Sequence, residues 1–139
     1  MKIRKLVICL CIVGFATGAC AQTTKEELID ADYRQCLARD TSYVNVCNCA
    51  YVAFGRWSKE LSKTYDKLLR GVKKEQQREA LKKSQKAWAA YRDAEFDTYN
   101  HIFNYSGTRW CNIRQDKRID VVRTRALQLR NHLDSLKKR

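Results

Sequence analysis

The chain has 139 residues and a formal net charge of +13, because 28 lysines and arginines outnumber 15 aspartates and glutamates. This length suits one compact domain with its own core. Proline is absent and there are only five glycines, which favours long uninterrupted helices. The positive charge indicates attraction to anionic partners such as envelope polymers or lipids; a dispersed, solvated surface is the simpler alternative.

Residues 1–21 have the features of a secretory signal peptide. A basic start precedes a mainly apolar run at 6–15, and the small residues Ala19 and Ala21 suit a cleavage site. The apolar run is too short to span a membrane as a helix. Cleavage after Ala21 predicts a periplasmic or secreted domain of residues 22–139, whose net charge falls from +13 to +10 because three cations are removed.

Cys20 offers a second processing route, because a lipid could be attached to it as in bacterial lipoproteins. Thr17 stands where an aliphatic residue is usual in that pattern, which favours the unlipidated product. Both routes leave the same four cysteines in the exported chain, so the cysteine count does not distinguish between them.

Four helices with short connections are predicted in chain order. They cover about residues 24–37, 43–70, 75–103 and 116–136. No run of residues keeps the period-two alternation of a half-buried strand. Short connections make successive long helices antiparallel neighbours. The predicted fold is therefore an all-α, disulfide-linked bundle of three long helices and a shorter N-terminal helix.

The second predicted helix has an apolar face and a basic face. The apolar positions are Cys47, Tyr51, Phe54, Trp57, Leu61, Tyr65, Leu68 and Val72. The opposite face carries a basic stripe formed by Arg56, Lys59, Lys63, Lys67 and Arg70. This stripe could attract phosphate-rich polymers, but no aromatic residues interleave with it to stack bases. Specific nucleic-acid binding is therefore not indicated, and a solvated face is the preferred interpretation.

The third predicted helix carries charged residues beside a packing stripe that contains Trp88. Arg92 and Glu95 lie within or next to that stripe. Because an unpaired buried charge is costly, we expect Arg92 to pair with Glu95 and to bridge to a neighbouring helix. Trp88 is expected to be covered at the centre of the seam. The alternative is a binding surface centred on Trp88 and Arg92.

The fourth predicted helix has the apolar repeat of a bundle seam. The repeating positions are Ile119, Val122, Ala126, Leu129, Leu133 and Leu136.

The sequence gives little support for catalysis. His101 and His132 are isolated on predicted helices, and the chain has neither a nucleophile at a strained turn nor a glycine-rich phosphate loop. We therefore predict no catalytic residue and no cofactor.

Four cysteines in an exported domain indicate two disulfides, and they are Cys36, Cys47, Cys49 and Cys111. A zinc site is disfavoured because Cys47 and Cys49 are too close in sequence for the usual paired ligands, so no metal is predicted. Residues two apart on a helix point to nearly opposite sides, so Cys47 and Cys49 should have different partners. The helix order brings one of them near Cys111 and leaves the other for Cys36. Either assignment satisfies this pattern.

The clearest predicted loop covers residues 104–110, between the third and fourth helices. Loops on rigid scaffolds often carry recognition. The candidate binding residues are therefore Ser106, Gly107, Arg109 and Trp110. The alternative is an ordinary turn with Trp110 packed on the end of the bundle.

Three segments share the order and spacing of a known signature. They are Leu61-x-x-x-Tyr65, then Gln85-x-x-Trp88-x-x-Tyr91-Arg92-Asp93-Ala94-Glu95, then Arg125-Ala126-x-x-Leu129. Together they resemble the LprI-type lysozyme-inhibitor domain, found in small exported bacterial proteins, over roughly residues 36–133. Ser62 and Phe96 depart from it, because the family usually has asparagine and cysteine there.

The resemblance implies an all-helical, non-enzymatic protein that binds lysozyme, and a loop at the bundle end would occlude the lysozyme cleft. Ser106-Gly107-Thr108-Arg109-Trp110 is also similar to the Ser-Gly-x-x-Tyr loop that an unrelated β-barrel class of inhibitors inserts into that acidic cleft. Typical lysozymes are basic, so long-range repulsion opposes the encounter. The alternative function is a basic envelope accessory protein that binds anionic cell-surface polymers or lipids.

Overall fold

The computed structural model describes residues 24–138, apart from the side chain of Glu26. The predicted signal peptide and Cys20 lie outside these residues. The described helices are α1 (Lys25–Arg39), α2 (Tyr43–Gly71), α3 (Glu75–Ile102) and α4 (Thr108–Lys137). Residues 24–138 contain no strand. The all-α class, with one short and three long helices, is therefore confirmed.

Polar side chains fix the positions at which α1 and α2 begin. The Thr24 hydroxyl accepts a hydrogen bond from the Glu27 amide at 3.2 Å, and the Glu27 carboxylate accepts one from the Thr24 amide at 2.8 Å. This reciprocal pair is a capping box. The Ser42 hydroxyl accepts from the Asn45 amide at 3.3 Å. Both helices consequently begin within one residue of their predicted starts.

The predicted start of the fourth helix is wrong. The helix begins at Thr108, eight residues before the predicted position 116. Gly107 precedes it with a φ of 107°, a conformation that glycine adopts without strain. The chain therefore turns at Gly107, and Arg109 and Trp110 lie in the first turn of α4 instead of in a loop. Polar residues dominate the start of α4, so apolar periodicity did not reveal it.

The core lies mainly between α2 and α4. Its buried members are Ile29, Ala50, Ala53, Trp57, Leu61, Leu68, Ile119, Val122, Ala126, Leu129 and Leu133. The predicted seam of α4 is confirmed, with Leu136 packed beside it and partly buried. On α2 the prediction for Tyr51 is wrong, because this side chain is 77% exposed. Ala50 and Ala53 take the core positions, and this rotation of α2 turns Tyr51 outward.

Helix α3 covers one side of this core without entering it. None of its residues is fully buried, although Leu81, Trp88 and Phe96 pack partly buried against the core. Trp88 therefore packs against the core as expected, but it is only partly buried and does not lie at the centre of the seam. The tryptophan that fills the core is Trp57, which is 0% exposed. Its Nε1 donates a hydrogen bond to an Asp30 oxygen at 3.0 Å.

Two disulfides link the helices, as predicted. Cys36 is bonded to Cys49 and Cys47 to Cys111, with Cα–Cα distances of 5.8 and 6.6 Å. The first bond fastens α1 to α2. The second fastens the start of α2 to the start of α4. The choice between Cys47 and Cys49 is thereby settled.

A buried carboxylate joins α1, α2 and α4. Glu60 is 2% exposed, and its carboxylate accepts hydrogen bonds from Lys25 Nζ at 2.7 Å and from Arg130 Nη2 at 2.6 Å. Burial by itself raises the pKa of Glu60. The hydrogen bond and charge of Lys25, together with the charge of Arg130, lower it by a larger amount. The net effect holds the Glu60 pKa below its ordinary value of 4.5.

We expect Glu60 to make stability sensitive to acid. A carboxyl whose pKa is lowered on folding stabilises the protein above its unfolded pKa, and this contribution is lost as pH falls through the folded pKa. We therefore compare the free energy of unfolding in urea at about pH 7 and about pH 3. It should fall by less in Glu60→Gln than in the unmodified protein. Glu75→Gln is the control, because Glu75 is 73% exposed. An unchanged acid response in Glu60→Gln would contradict this role.

Candidate functional site at the loop end

An aromatic cluster surrounds the connection between α3 and α4. The Trp110 ring centroid lies 4.6 Å from that of Tyr105 and 6.4 Å from that of Phe103. Arg114 donates hydrogen bonds from its guanidinium to the backbone carbonyls of Phe103 and Tyr105. These contacts satisfy carbonyls at the end of α3 and fix the loop on the start of α4. We call this region, residues 102–110 together with residues 43–51 at the start of α2, the loop end.

The four predicted binding residues lie together at the loop end, but their surroundings differ. Ser106, Gly107 and Arg109 are exposed, whereas Trp110 is partly buried in the aromatic cluster. The Arg109 guanidinium lies 5.5 Å from the Trp110 ring centroid. Within residues 24–138 no carboxylate pairs with Arg109. The charge of Arg109 is thus available to a partner. Trp110 instead packs against Phe103 and Tyr105 and stabilises the connection between α3 and α4.

Exposed apolar side chains concentrate in the same region. Among residues 24–138, eight large apolar side chains are exposed, and five of these are at the loop end. The five are Tyr43, Val44, Tyr51, Ile102 and Tyr105. Sequence patterns did not single out this set, because isolated apolar residues at helix ends resemble ordinary packing positions. Their shared exposure appears only once the helices are packed.

A cavity extends this apolar surface between α2, α3 and α4. It has a volume of about 440 Å³, and Cys47, Tyr51, Phe96 and Arg118 are among its lining residues. The Arg118 guanidinium lies 5.3 Å from the Phe96 ring centroid and donates to an Asn100 oxygen at 2.7 Å. This cavity gives the loop end a concave flank beside its protruding aromatic cluster.

Tyr33 holds α1 against the start of α4. Its hydroxyl donates a hydrogen bond to an Asp116 oxygen at 2.6 Å. Burial, reinforced by that bond and by the negative charges of Asp116 and Asp120, raises the pKa of Tyr33 well above its ordinary value. Burial also raises the pKa of Asp116, and the charge of Asp120 acts in the same direction. The Tyr33–Asp116 hydrogen bond therefore holds α1 against α4 near the loop end.

The residues of the Gln-x-x-Trp-x-x-Tyr-Arg block lie away from the loop end, along α3. Gln85 accepts a hydrogen bond from Arg125 Nε at 3.1 Å. The Trp88 ring has the Arg92 guanidinium 5.4 Å from its centroid and that of Arg125 at 5.9 Å. Tyr91 is 53% exposed. This block therefore joins α3 to α4 and lines the groove between them.

The predicted pair between Arg92 and Glu95 is not formed. Arg92 Nη2 instead lies 2.6 Å from the carboxylate of Asp93 on the same helix. The Tyr99 hydroxyl donates a hydrogen bond to the Glu95 carboxylate, and burial together with this bond raises the pKa of Tyr99 to about 12. Glu95 therefore interacts with Tyr99, one turn further along α3, and Arg92 pairs with the adjacent Asp93. Within residues 24–138, Arg92 makes no ion pair with a carboxylate on another helix.

The basic stripe on α2 is interrupted by pairing. Arg56 Nη1 lies 2.6 Å from the Asp32 carboxylate. The remaining members are exposed, namely Lys59, Lys63, Lys67 and Arg70.

In residues 24–138 no group of three or more histidine, cysteine, aspartate or glutamate side chains is placed to hold a metal ion. No helix in this part of the chain combines the length and apolarity required to cross a membrane.

A family model described as "Lysozyme inhibitor LprI" matches residues 20–129. The chain belongs to the LprI family. LprI is an inhibitor family and not an enzyme family, and its members are typically exported. The matched residues of this LprI protein include the whole loop end and the α3 block. Comparison with curated proteins and with solved structures gave no match.

Proposed function

We propose that this LprI protein is an exported inhibitor that binds lysozyme through its loop end and covers the catalytic cleft. The observation that carries the proposal is the coincidence, at one end of the bundle, of exposed apolar side chains and a cation without a carboxylate partner in residues 24–138. Export follows from cleavage after Ala21, with residues 22–139 as the active domain.

We also infer that successive helices run antiparallel. From the end of α1 to its start, the contacts with α2 are Cys36–Cys49, Asp30–Trp57 and Lys25–Glu60. From the end of α3 towards its start, the contacts with α4 are Phe103–Arg114, Asn100–Arg118 and Gln85–Arg125. In both pairs, residue numbers fall along one helix as they rise along the other. This order supports a single surface formed by the start of α2, the end of α3 and the start of α4.

The loop end has the properties of a preorganised binding surface. The Cys47–Cys111 disulfide and the Arg114 hydrogen bonds hold it in place before binding, which reduces the ordering cost of association. Lysozyme cleaves its substrate with two carboxylic acids, so an exposed Arg109 has the complementary charge. The exposed Ile102 and Tyr105 side chains would supply apolar contact area. Such short-range contacts are needed because two basic proteins repel at a distance.

Substitution of exposed loop-end residues should weaken inhibition without unfolding the protein. We expect Arg109→Ala combined with Ile102→Ser to raise the inhibition constant against lysozyme at least about tenfold, because central interface residues carry most of the binding energy. Ile102 is 53% exposed, so its loss should leave the core intact. The measurement is lysozyme activity at several inhibitor concentrations.

The matched control neutralises the basic stripe with Lys59→Ala, Lys63→Ala and Lys67→Ala. This variant should inhibit at least as well as the unmodified protein, because it is less basic and is therefore repelled less by a basic lysozyme. Loss of inhibition in the stripe variant, together with unchanged inhibition in the loop-end variant, would reverse the assignment. Absence of inhibition by the unmodified protein would remove the proposal and favour binding to anionic envelope polymers. That binding would weaken steeply as salt increases.

A further inference from the structure

Arg125 is a buried cation with neutral partners. It is 7% exposed, and its guanidinium donates to Gln85 Oε1 at 3.1 Å, Gln128 Oε1 at 2.7 Å and Ser84 Oγ at 3.0 Å. No carboxylate in the described part of the chain lies within 4.0 Å of it. Arg123, on the same helix, is instead paired with Asp30 at 2.8 Å. The positive charge of Arg125 is therefore not neutralised by a carboxylate at contact distance within residues 24–138.

Two guanidinium N–H groups of Arg125 are not used by these three hydrogen bonds. A guanidinium has five N–H groups, one on Nε and two on each terminal nitrogen. The three hydrogen bonds use one N–H on each nitrogen. One N–H on each terminal nitrogen remains without an acceptor among residues 24–138. Guanidinium N–H groups form strong, charge-assisted hydrogen bonds with carboxylate oxygens.

Arg125 lines a cavity between α3 and α4. The cavity has a volume of about 310 Å³, at the small end of the range for ligand sites. Trp88 and Tyr91 form part of its wall on α3, and Lys117 and Thr124 are on α4. Asp120 also lines it and is its one acidic lining residue. The aromatic groups suit an apolar body, and the cations outnumber the single carboxylate.

We propose that this cavity binds a carboxylate attached to an apolar body the size of an acylated amino acid or the last residue of a peptide. The carboxylate would accept hydrogen bonds from the terminal nitrogens of Arg125, and the body would pack against Trp88 and Tyr91. Asp120 would repel any anion in the cavity, and it would repel a dianion such as phosphate more strongly than a single carboxylate. Arg125 lies 16 residues after Arg109, about 24 Å along α4. The cavity is thus distinct from the loop end, and its test is independent of lysozyme binding.

The experiment compares N-acetylphenylalanine with N-acetylphenylalaninamide, which differ at the carboxylate. Titrations are followed through the indole N–H resonance of Trp88 in a two-dimensional NMR spectrum of the intact protein. We expect saturable shifts with the acid and a Kd on the order of 1 mM, as suits a ligand of this size. The amide should bind at least about tenfold more weakly, because it lacks the charge-assisted hydrogen bonds. Phosphate at equal ionic strength should leave the resonance unshifted.

Variants separate this site from non-specific association. Tyr91→Ala should weaken acid binding about threefold to tenfold. The control Tyr43→Ala should leave it unchanged, because Tyr43 is 51% exposed, much like Tyr91 at 53%, and is not a lining residue. Arg125→Gln, if its unfolding remains cooperative, should bind acid and amide equally. Equal binding of acid and amide by the unmodified protein, stronger binding of phosphate, or acid binding unaffected by Tyr91→Ala would each overturn the proposal, as would no saturable shift.

Discussion

Trp57→Ala is expected to lower the free energy of unfolding by about 3–5 kcal/mol. The Trp57 side chain is 0% exposed and belongs to the core between α2 and α4. Its removal leaves a large cavity and takes the indole donor from Asp30, which it contacts at 3.0 Å. It also removes the ring that lies 5.6 Å from the Arg123 guanidinium. Urea unfolding followed by circular dichroism measures the loss.

Trp88→Ala is the matched comparison, because it removes the same side chain from the edge of the bundle. Trp88 is only partly buried and lies on a helix with no fully buried residue. We expect it to cost about 1–2 kcal/mol, in the range of ordinary partly buried positions. A loss for Trp88→Ala that equals or exceeds the loss for Trp57→Ala would show that the centre of the core has been assigned to the wrong tryptophan.

Replacement of Cys47 and Cys111 by serine should cost about 4 kcal/mol, on the chain-entropy view of disulfides. The two residues are 64 positions apart, so the bond restricts a long loop in the unfolded chain. It also joins the starts of α2 and α4 beneath the loop end. We therefore expect weaker lysozyme inhibition even at temperatures where the variant remains folded. Thermal unfolding and inhibition assays on the same preparation separate the two effects.

The control is the removal of the shorter disulfide by Cys36→Ser and Cys49→Ser. These residues are 13 positions apart, and the expected loss is about 3 kcal/mol. This bond joins α1 to α2 and does not connect α2 to α3 or α4, so inhibition should persist while the variant is folded. Equal loss of inhibition in both variants would argue against a special role of Cys47–Cys111 in holding the binding surface.

Much of the fold could be predicted because helical periodicity is a local property of the chain. The repeat from Ile119 to Leu133 places the same side chains in the core that the structure buries. The orientation of α2 was harder, because Tyr51 and Ala50 are adjacent and only the packing of α4 decides which one is buried. The start of α4 was missed because Gly107 and the polar residues after it resemble a longer loop.

The candidate sites depend more strongly on contacts between distant residues. Glu60 and Arg130 are 70 positions apart, and Gln85 and Arg125 are 40 apart. In the sequence, the charged residues Glu60 and Arg125 each look like part of a solvated helix face, yet both are buried. Their burial follows from the position of a neighbouring helix, which no local pattern specifies. Arg109, by contrast, could be singled out because a strong break in the helical pattern precedes it.

Contact between the loop end and lysozyme is tested most directly by hydrogen–deuterium exchange of the protein alone and with saturating lysozyme. Backbone amides that become covered or more rigid exchange more slowly. We expect slower exchange in peptides covering residues 102–110 and the start of α2, with no change across residues 59–70. Protection confined to residues 59–70, or no protection anywhere in a mixture that shows inhibition, would contradict binding through the loop end.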